Sequence, residues 1–273
     1  MSPQTSSTTG GKIGFVLIVL LVFAIALRLT ISTLSYFLMR PRTLKVINGM
    51  VDGRSQIIIP QDPSSQGAKT IYRSVNESDG IEFSWSVWVF VDNMSYNSGQ
   101  YRTVFYKGNE KTSAIVKSAH EQPQGMNFPN NAPGLYIAPN TNKFVVLMNT
   151  FNVINEEIVV DDVPLNKWVN VVIRCRNNII DVYINGSVIK SHYLAGVPKQ
   201  NYGDVYVGTM GGFSGNLSNL WYFNYALDAA QIDSIMTQGP DITQSTASST
   251  GINQLDSDYL SLRWFLKGIA SNN

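Results

Sequence analysis

Residues 168–191 read WVNVVIRCRNNIIDVYINGSVIKS, and this stretch decides the fold class. Residues 168–174 form a run rich in Val and Ile, side chains that sit well on a pleated surface. A second such run, 179–184, ends at Asn185-Gly186. Both of these residues tolerate the positive φ angles of a two-residue hairpin turn. A third run, 188–191, then carries the chain back. Strand, strand, tight turn and strand follow one another with no space for a helix between them.

The same texture extends outward. Residues 83–91, FSWSVWVFV, alternate at first and then turn apolar on both faces, as a strand covered on both sides does. Residues 102–107 form a short strand closing at Gly108. Residues 134–138 and 143–148 flank Pro139-Asn140-Thr141-Asn142, a hairpin turn. Residues 205–208 and 215–223 complete the set. Short apolar runs at roughly ten-residue spacing, without amphipathic helices between them, predict an all-β, two-sheet antiparallel jelly-roll sandwich. One helix is expected, at 227–236, with Asp228 as its cap and Ile232, Ile235 and Met236 on one apolar face.

The rest of the chain divides around this domain, placed at 71–238. Residues 1–12 are polar, with Lys12 their only charge, and residues 13–39 read as a transmembrane anchor and its flank. The apolar run IGFVLIVLLVFAIAL at 13–27 is short for a bilayer, which needs about 20 residues. A helix continued to Leu34 reaches roughly 33 Å at ~1.5 Å per residue, so residues 13–34 are the expected lipid contact. Arg28 then snorkels to one interface, Tyr36 is an interfacial aromatic, and Lys12 and Arg40 flank the span. A cleaved signal peptide is the competing reading, since Ala24-Ile25-Ala26 has the A-x-A form, but hydrophobicity resumes beyond it. Arg28, Arg40, Arg42 and Lys45 follow the span and only Lys12 precedes it, which places the C-terminal domain on the cytoplasmic side. Residues 40–70, rich in Pro and Gly around Ile57-Ile58-Ile59, read as a stalk able to lend an edge strand. Residues 239–254, GPDITQSTASSTGINQ, read as a flexible linker, and 255–273 as an aromatic segment packing back on the sandwich.

Three pieces of the domain carry a resemblance. Val163-Pro164-Leu165-Asn166-Lys167-Trp168 leads into a strand, Asp181-Val182-Tyr183-Ile184-Asn185-Gly186 closes a hairpin, and residues 215–227, GNLSNLWYFNYAL, precede the short helix. In order and spacing these resemble the laminin-G-like members of the concanavalin A-like lectin/glucanase superfamily, over about residues 75–237. The resemblance implies structural roles for Trp85, Trp168, Tyr183, Asn185, Gly186, Gly215, Trp221 and Leu227, with Trp168 and Tyr183 facing the core between the sheets. At Ser218-Asn219, where many relatives carry acids, this chain has none, and calcium, which wants carboxylate oxygens, is left without support. No cofactor is implied.

Composition narrows the function. Lys plus Arg number 20 and Asp plus Glu 19, a net +1 that leaves no basic footprint for nucleic acid. The single cysteine, Cys175, rules out an intrachain disulfide and reads as a small buried hydrophobe. Glu156-Glu157 with Asp161-Asp162 reads as a solvated loop edge rather than a glycosidase pair, and His120 and His192 as loop histidines. The expectation is therefore a non-enzyme. Tyr193, Tyr202, Phe213 and Asn216 lie in loops or at strand ends, where sandwiches present binding surfaces, and are the candidate contacts for a glycan or a protein. Two functions follow: a membrane-anchored binding module, or a structural protein joining a membrane to an assembly. The second is similar to the minor capsid proteins that large DNA viruses place between an inner membrane and the virion shell. A degenerate glycoside hydrolase is a weaker alternative.

Overall fold

The structure, a computed structural model, describes residues 9–38, 42–75, 77–109 and 124–245. Arg40, Asn76, His120 and the 255–273 segment lie outside the described residues. The chain forms two units, Met1–Pro41 and Arg42–Asn273.

The first unit is one helix, α1 (Thr9–Leu38), with an apolar stretch over Gly11–Leu34 long enough to cross a membrane. Lys12 and Arg28 are exposed along with the apolar side chains between them. Thr30 and Thr33 donate their hydroxyls to the carbonyls of Ala26 and Leu29, at 2.8 and 2.9 Å. Those bonds spare two polar groups an unmet partner in an apolar medium.

The second unit is a sandwich of two antiparallel sheets. Its strands are β1 (Thr43–Lys45), β2 (Met50–Asp52), β3 (Ile57–Ile59), β4 (Glu82–Asn93) and β5 (Arg102–Gly108). There follow β6 (Gly134–Ile137), β7 (Phe144–Met148), β8 (Glu156–Val160) and β9 (Trp168–Arg176). The last are β10 (Ile179–Ile184), β11 (Ser187–Tyr193), β12 (Asp204–Val207) and β13 (Ser214–Phe223). One sheet runs β1-β13-β4-β9-β10-β11, with β2 also on β13; the other runs β3-β12-β5-β6-β7-β8. Residues 43–59 thus contribute to both sheets, more than the one edge strand expected of a stalk. Val46, Ile47 and Val51 are buried in the common core.

Alternation decides what enters that core. Val169, Val171 and Ile173 of β9 and Ile180 and Val182 of β10 point between the sheets, facing Leu135, Phe144 and Val146. Trp85, 1% exposed, stacks on Phe105 across the sandwich at 5.2 Å and meets Tyr222 at 5.1 Å. Truncating such a side chain costs about 3–5 kcal/mol. Asn185 (φ 48°) and Gly186 (φ 81°) make the expected turn between β10 and β11. Gly215 is required where β13 crosses β4: at φ 139°, a Cβ there would sit 1.8 Å from the Phe90 carbonyl oxygen.

The outer faces correct one expectation. Tyr183 does not face the core between the sheets; it packs outside β10 with Trp221, Phe223 and Leu227, under Ile232 and Ile235 of α2 (Ala229–Gln238). Trp168 is half-buried on the same outer side, its ring 5.6 Å from Phe90. The period-2 rule explains both, because Val169, Val171 and Val182 occupy the inward positions. Asp228 caps α2 through a reciprocal box: its carboxylate accepts from the Gln231 N–H at 2.8 Å, and its own N–H donates to Gln231 Oε1 at 3.0 Å. The helix starts two residues later than the expected 227–236, at Ala229. On the other sheet's outer face Tyr206, Tyr106 and Tyr136 form a stack, with centroids 4.9 and 6.4 Å apart.

Candidate functional site

Strands of both sheets line a cavity of about 200 Å³. Its inner wall is apolar: Phe83 and Trp85 of β4, Tyr222 of β13, and Ile71 and Ile81 just before β4. Phe151 and Tyr202, 71% and 93% exposed, stand at its mouth with Val197. Tyr222 and Asn224 hold the near wall in place. The Tyr222 hydroxyl donates to the Tyr72 carbonyl at 2.8 Å, and Asn224 Nδ2 to the Arg73 carbonyl at 3.3 Å. Burial pushes the Tyr222 phenol well above its ordinary pKa, with the nearby Arg73 charge opposing it.

Four polar side chains reach this space: Arg73, Lys107, Gln200 and Asn201. Lys107, 6% exposed, sits near the end of β5 and donates to the Asn201 and Gly203 carbonyls at 2.7 and 2.9 Å, with a longer contact to Asn201 Oδ1 at 3.4 Å. Burial brings its pKa down to about 8, against the opposing pull of Asp204. The ion pairs among the described residues are Arg42–Glu77, Lys143–Asp161, Arg174–Asp181 and His192–Glu156; none includes Lys107. Gly203 allows the carbonyls this close, since a Cβ there would lie 2.1 Å from the Gly108 carbonyl oxygen. Asn201 spends its side chain locally, donating to the Lys107 carbonyl and accepting from the Gly203 N–H. Gln200 Oε1 is buried with no hydrogen-bond partner. Arg73 is exposed, and its guanidinium has no partner among the described residues. Two cations and no carboxylate line the cavity.

The candidates drawn from sequence scatter. Tyr202 is at the cavity mouth. Tyr193 is exposed at the end of β11, apart from the cavity lining. Asn216 is half-buried within β13, opposite Phe90 and Asp52. Phe213 is not a surface contact at all: it is 0% exposed, its ring packed against Gly53. The turn at Gly211-Gly212, both at positive φ, folds Phe213 inward. Lys107 and Arg73 were missed; Lys107, a lone basic residue in an otherwise apolar strand ending, was the available signal.

The other reactive groups have structural partners. Glu156 lies on β8 rather than in a loop, and its carboxylate accepts from His192 Nε2 at 2.8 Å and from the Ala195 N–H at 3.0 Å. It joins the free edges of the two sheets. Arg174, Asp181 and Ser191 form a bonded trio outside β9–β11, and Arg174 also holds the Leu227 carbonyl at 3.0 Å. The Cys175 thiol is buried, which pushes its pKa up to about 12. At the Ser218-Asn219 position, Ser218 donates to the Asp241 carbonyl and Asn219 Oδ1 accepts from the Gly49 N–H. Those oxygens tie chain segments together.

Residues 62–233 match one family model, the concanavalin A-like lectin/glucanases superfamily. The chain belongs to that superfamily. Among solved structures, this member of the superfamily is similar to a receptor-binding domain of botulinum neurotoxin mosaic serotype C/D, with 13% identity and a TM-score of 0.49. That match covers 72% of this chain and 45% of the other. The neurotoxin DC binding domain in complex with rat synaptotagmin II matches with 16% identity and a TM-score of 0.42, over 57% and 35% of the two chains. The same domain in complex with SialylT gives 16% identity and 0.40, over 57% and 35%. The chain spans less than half the length of these three. No curated protein sequence matches it.

Proposed function

We propose that this protein is a single-pass membrane protein whose sandwich is a non-catalytic binding module, with the cavity as its recognition site. One observation carries the reading: a concave, largely apolar cavity with an unpartnered buried acceptor, Gln200 Oε1, and two cations that form no ion pair among the described residues. Concave apolar pockets with a few convergent polar groups are where proteins hold small ligands. The lining offers charge and hydrogen bonds but no carboxylate pair of the kind glycoside hydrolysis uses. α1 serves as the anchor, and the basic residues after it favour a cytoplasm-facing domain.

The test is a thermal-shift screen of the full-length chain in detergent, against glycans and small organic molecules. Val197→Trp fills the mouth, and Val188→Trp, on the exposed β11 edge, is its control. A ligand that raises Tm in the parent and the control but not in Val197→Trp supports the module. Absence of any such ligand contradicts it. Orientation is read separately, by glycosylation of the Asn-x-Ser sequons at Asn76, Asn93, Asn185 and Asn216 in eukaryotic cells; a mass shift would place the domain on the lumenal side.

A second reading, a scaffold joining a membrane to a protein assembly, is favoured by exposed apolar side chains along one edge. Val188 and Ile189 on β11 and Ile154 before β8 present such a surface. Scaffolding predicts stoichiometric co-purification of the full-length chain with an assembly, and dispersed single copies would contradict it.

A further inference from the structure

Resting on the reading of the cavity as the ligand site, we infer that its ligand is a small amphipathic organic anion: an apolar ring or short chain bearing one acidic head. Three features of the cavity select this class over a sugar or a neutral hydrophobe.

The first is charge. Arg73 and Lys107 are the charged side chains of the lining, and neither has an anionic partner among the described residues. Lys107 is buried and outside any ion pair, with Asp204 acting on it only beyond ion-pair distance, so part of its desolvation penalty is left for an incoming anion to offset. Arg73 is the group able to bind it directly, with a planar fork of donors matched to a carboxylate. Lys107 contributes its field, since its hydrogens are already directed at the carbonyls of Asn201 and Gly203.

The second is the shortage of polar partners. Asn201 and Lys107 are already engaged within the protein, which leaves the Gln200 side-chain amide, the Arg73 guanidinium and, at the mouth, the Tyr202 hydroxyl for a ligand. A polyhydroxylated sugar seated against Ile71, Phe83 and Trp85 would strip water from several hydroxyls and return few hydrogen bonds, at roughly 1–3 kcal/mol for each orphan. An apolar body incurs no such cost. Gln200 Oε1 accepts one bond, from a hydroxyl or N–H on the body or from the head in its acid form.

The third is size. About 200 Å³ is below the roughly 300 Å³ at which drug-sized pockets begin, so the ligand is of one or two rings.

The experiment is calorimetric titration of the full-length chain in zwitterionic lipid nanodiscs, with empty discs as the blank. The probes are 2-naphthoate, its neutral analogue 2-naphthylmethanol, and N-acetylneuraminate, a polar sugar acid. The expected result is saturable 2-naphthoate binding at least tenfold tighter than that of either other probe, weakened about fivefold or more by Arg73→Gln. Arg73 is exposed and its side chain holds no other part of the fold, so this variant folds. Equal affinity for the acid and the alcohol would overturn the anionic head and leave the cavity reading standing. Tighter binding of N-acetylneuraminate would overturn the apolar body. No binding of any probe, while a Val197-sensitive ligand emerges from the thermal screen, would overturn the ligand class alone. No binding in either experiment would remove both readings.

Discussion

β5 buries a cation near each end, and the sandwich treats the two differently. Near its start, Arg102 donates to the Met94 and Ala138 carbonyls at 2.9 and 2.6 Å, and its Nε is left without a partner. Near its finish, Lys107 is held by carbonyls in the same manner. Burial lowers the pKa of both, and neither makes an ion pair among the described residues. The difference is access. Packed side chains close over Arg102, whereas a cavity lies beside Lys107. The same local chemistry therefore braces a loop at one end and, at the other, biases an open site toward anions. A buried charge alone does not mark a site; a buried charge beside space does.

The comparison can be broken from the Lys107 end first. Gly203→Ala puts a Cβ 2.1 Å from the Gly108 carbonyl oxygen, so residues 201–203 must move away from β5 and release Lys107. Denaturant unfolding of the full-length chain is expected to show a loss of about 3 kcal/mol or more, the scale of overpacking, together with loss of 2-naphthoate binding. At the other end, Arg102→Leu orphans two carbonyls and is expected to cost about 2 kcal/mol. Its affinity for 2-naphthoate should stay within about twofold of the parent, and a larger change would mean the two ends are not independent.

The pH dependence sharpens the contrast with a smaller effect. Lys107 is charged below about 8 and neutral above it, so anion affinity is full near pH 7 and falls as pH rises through 8. Asp204 on β12 and Arg73 before β4 are the other charges near it; the guanidinium of Arg73 keeps its proton throughout. Affinity for 2-naphthoate is expected to drop about tenfold between pH 7.5 and 9.5, while 2-naphthylmethanol shows no trend. A flat profile for the acid would assign all of the charge recognition to Arg73.

Much of this architecture could be read in advance where side chains repeat with a clear period. Residues 168–191 specified three strands and the tight turn between the last two, and Asp228 marked the start of α2. β8 was hidden because it opens with Glu156-Glu157 and is followed by Asp161-Asp162, so it looked like a charged loop while Ile158 and Val160 were entering the core. Ile57-Ile58-Ile59 was legible as an edge strand, which is β3, while β1 and β2 were obscured by their shortness and by the prolines and glycines around them. The site was far less legible. Its walls come from residues as distant as Ile71 and Tyr222, and no local pattern announces that they meet. Tyr202 was found because an aromatic in a polar loop is conspicuous. Lys107 was overlooked because a strand-end lysine is ordinarily solvated, and here the 201–203 segment folds over it.

Hydrogen–deuterium exchange on the full-length chain, with and without 2-naphthoate, tests the central claim most directly. The account predicts new protection at residues 71–83, 150–153 and 197–204, with residues around Arg102, Met94 and Ala138 unchanged. Protection along β11, or no protection anywhere at saturating ligand, would contradict it.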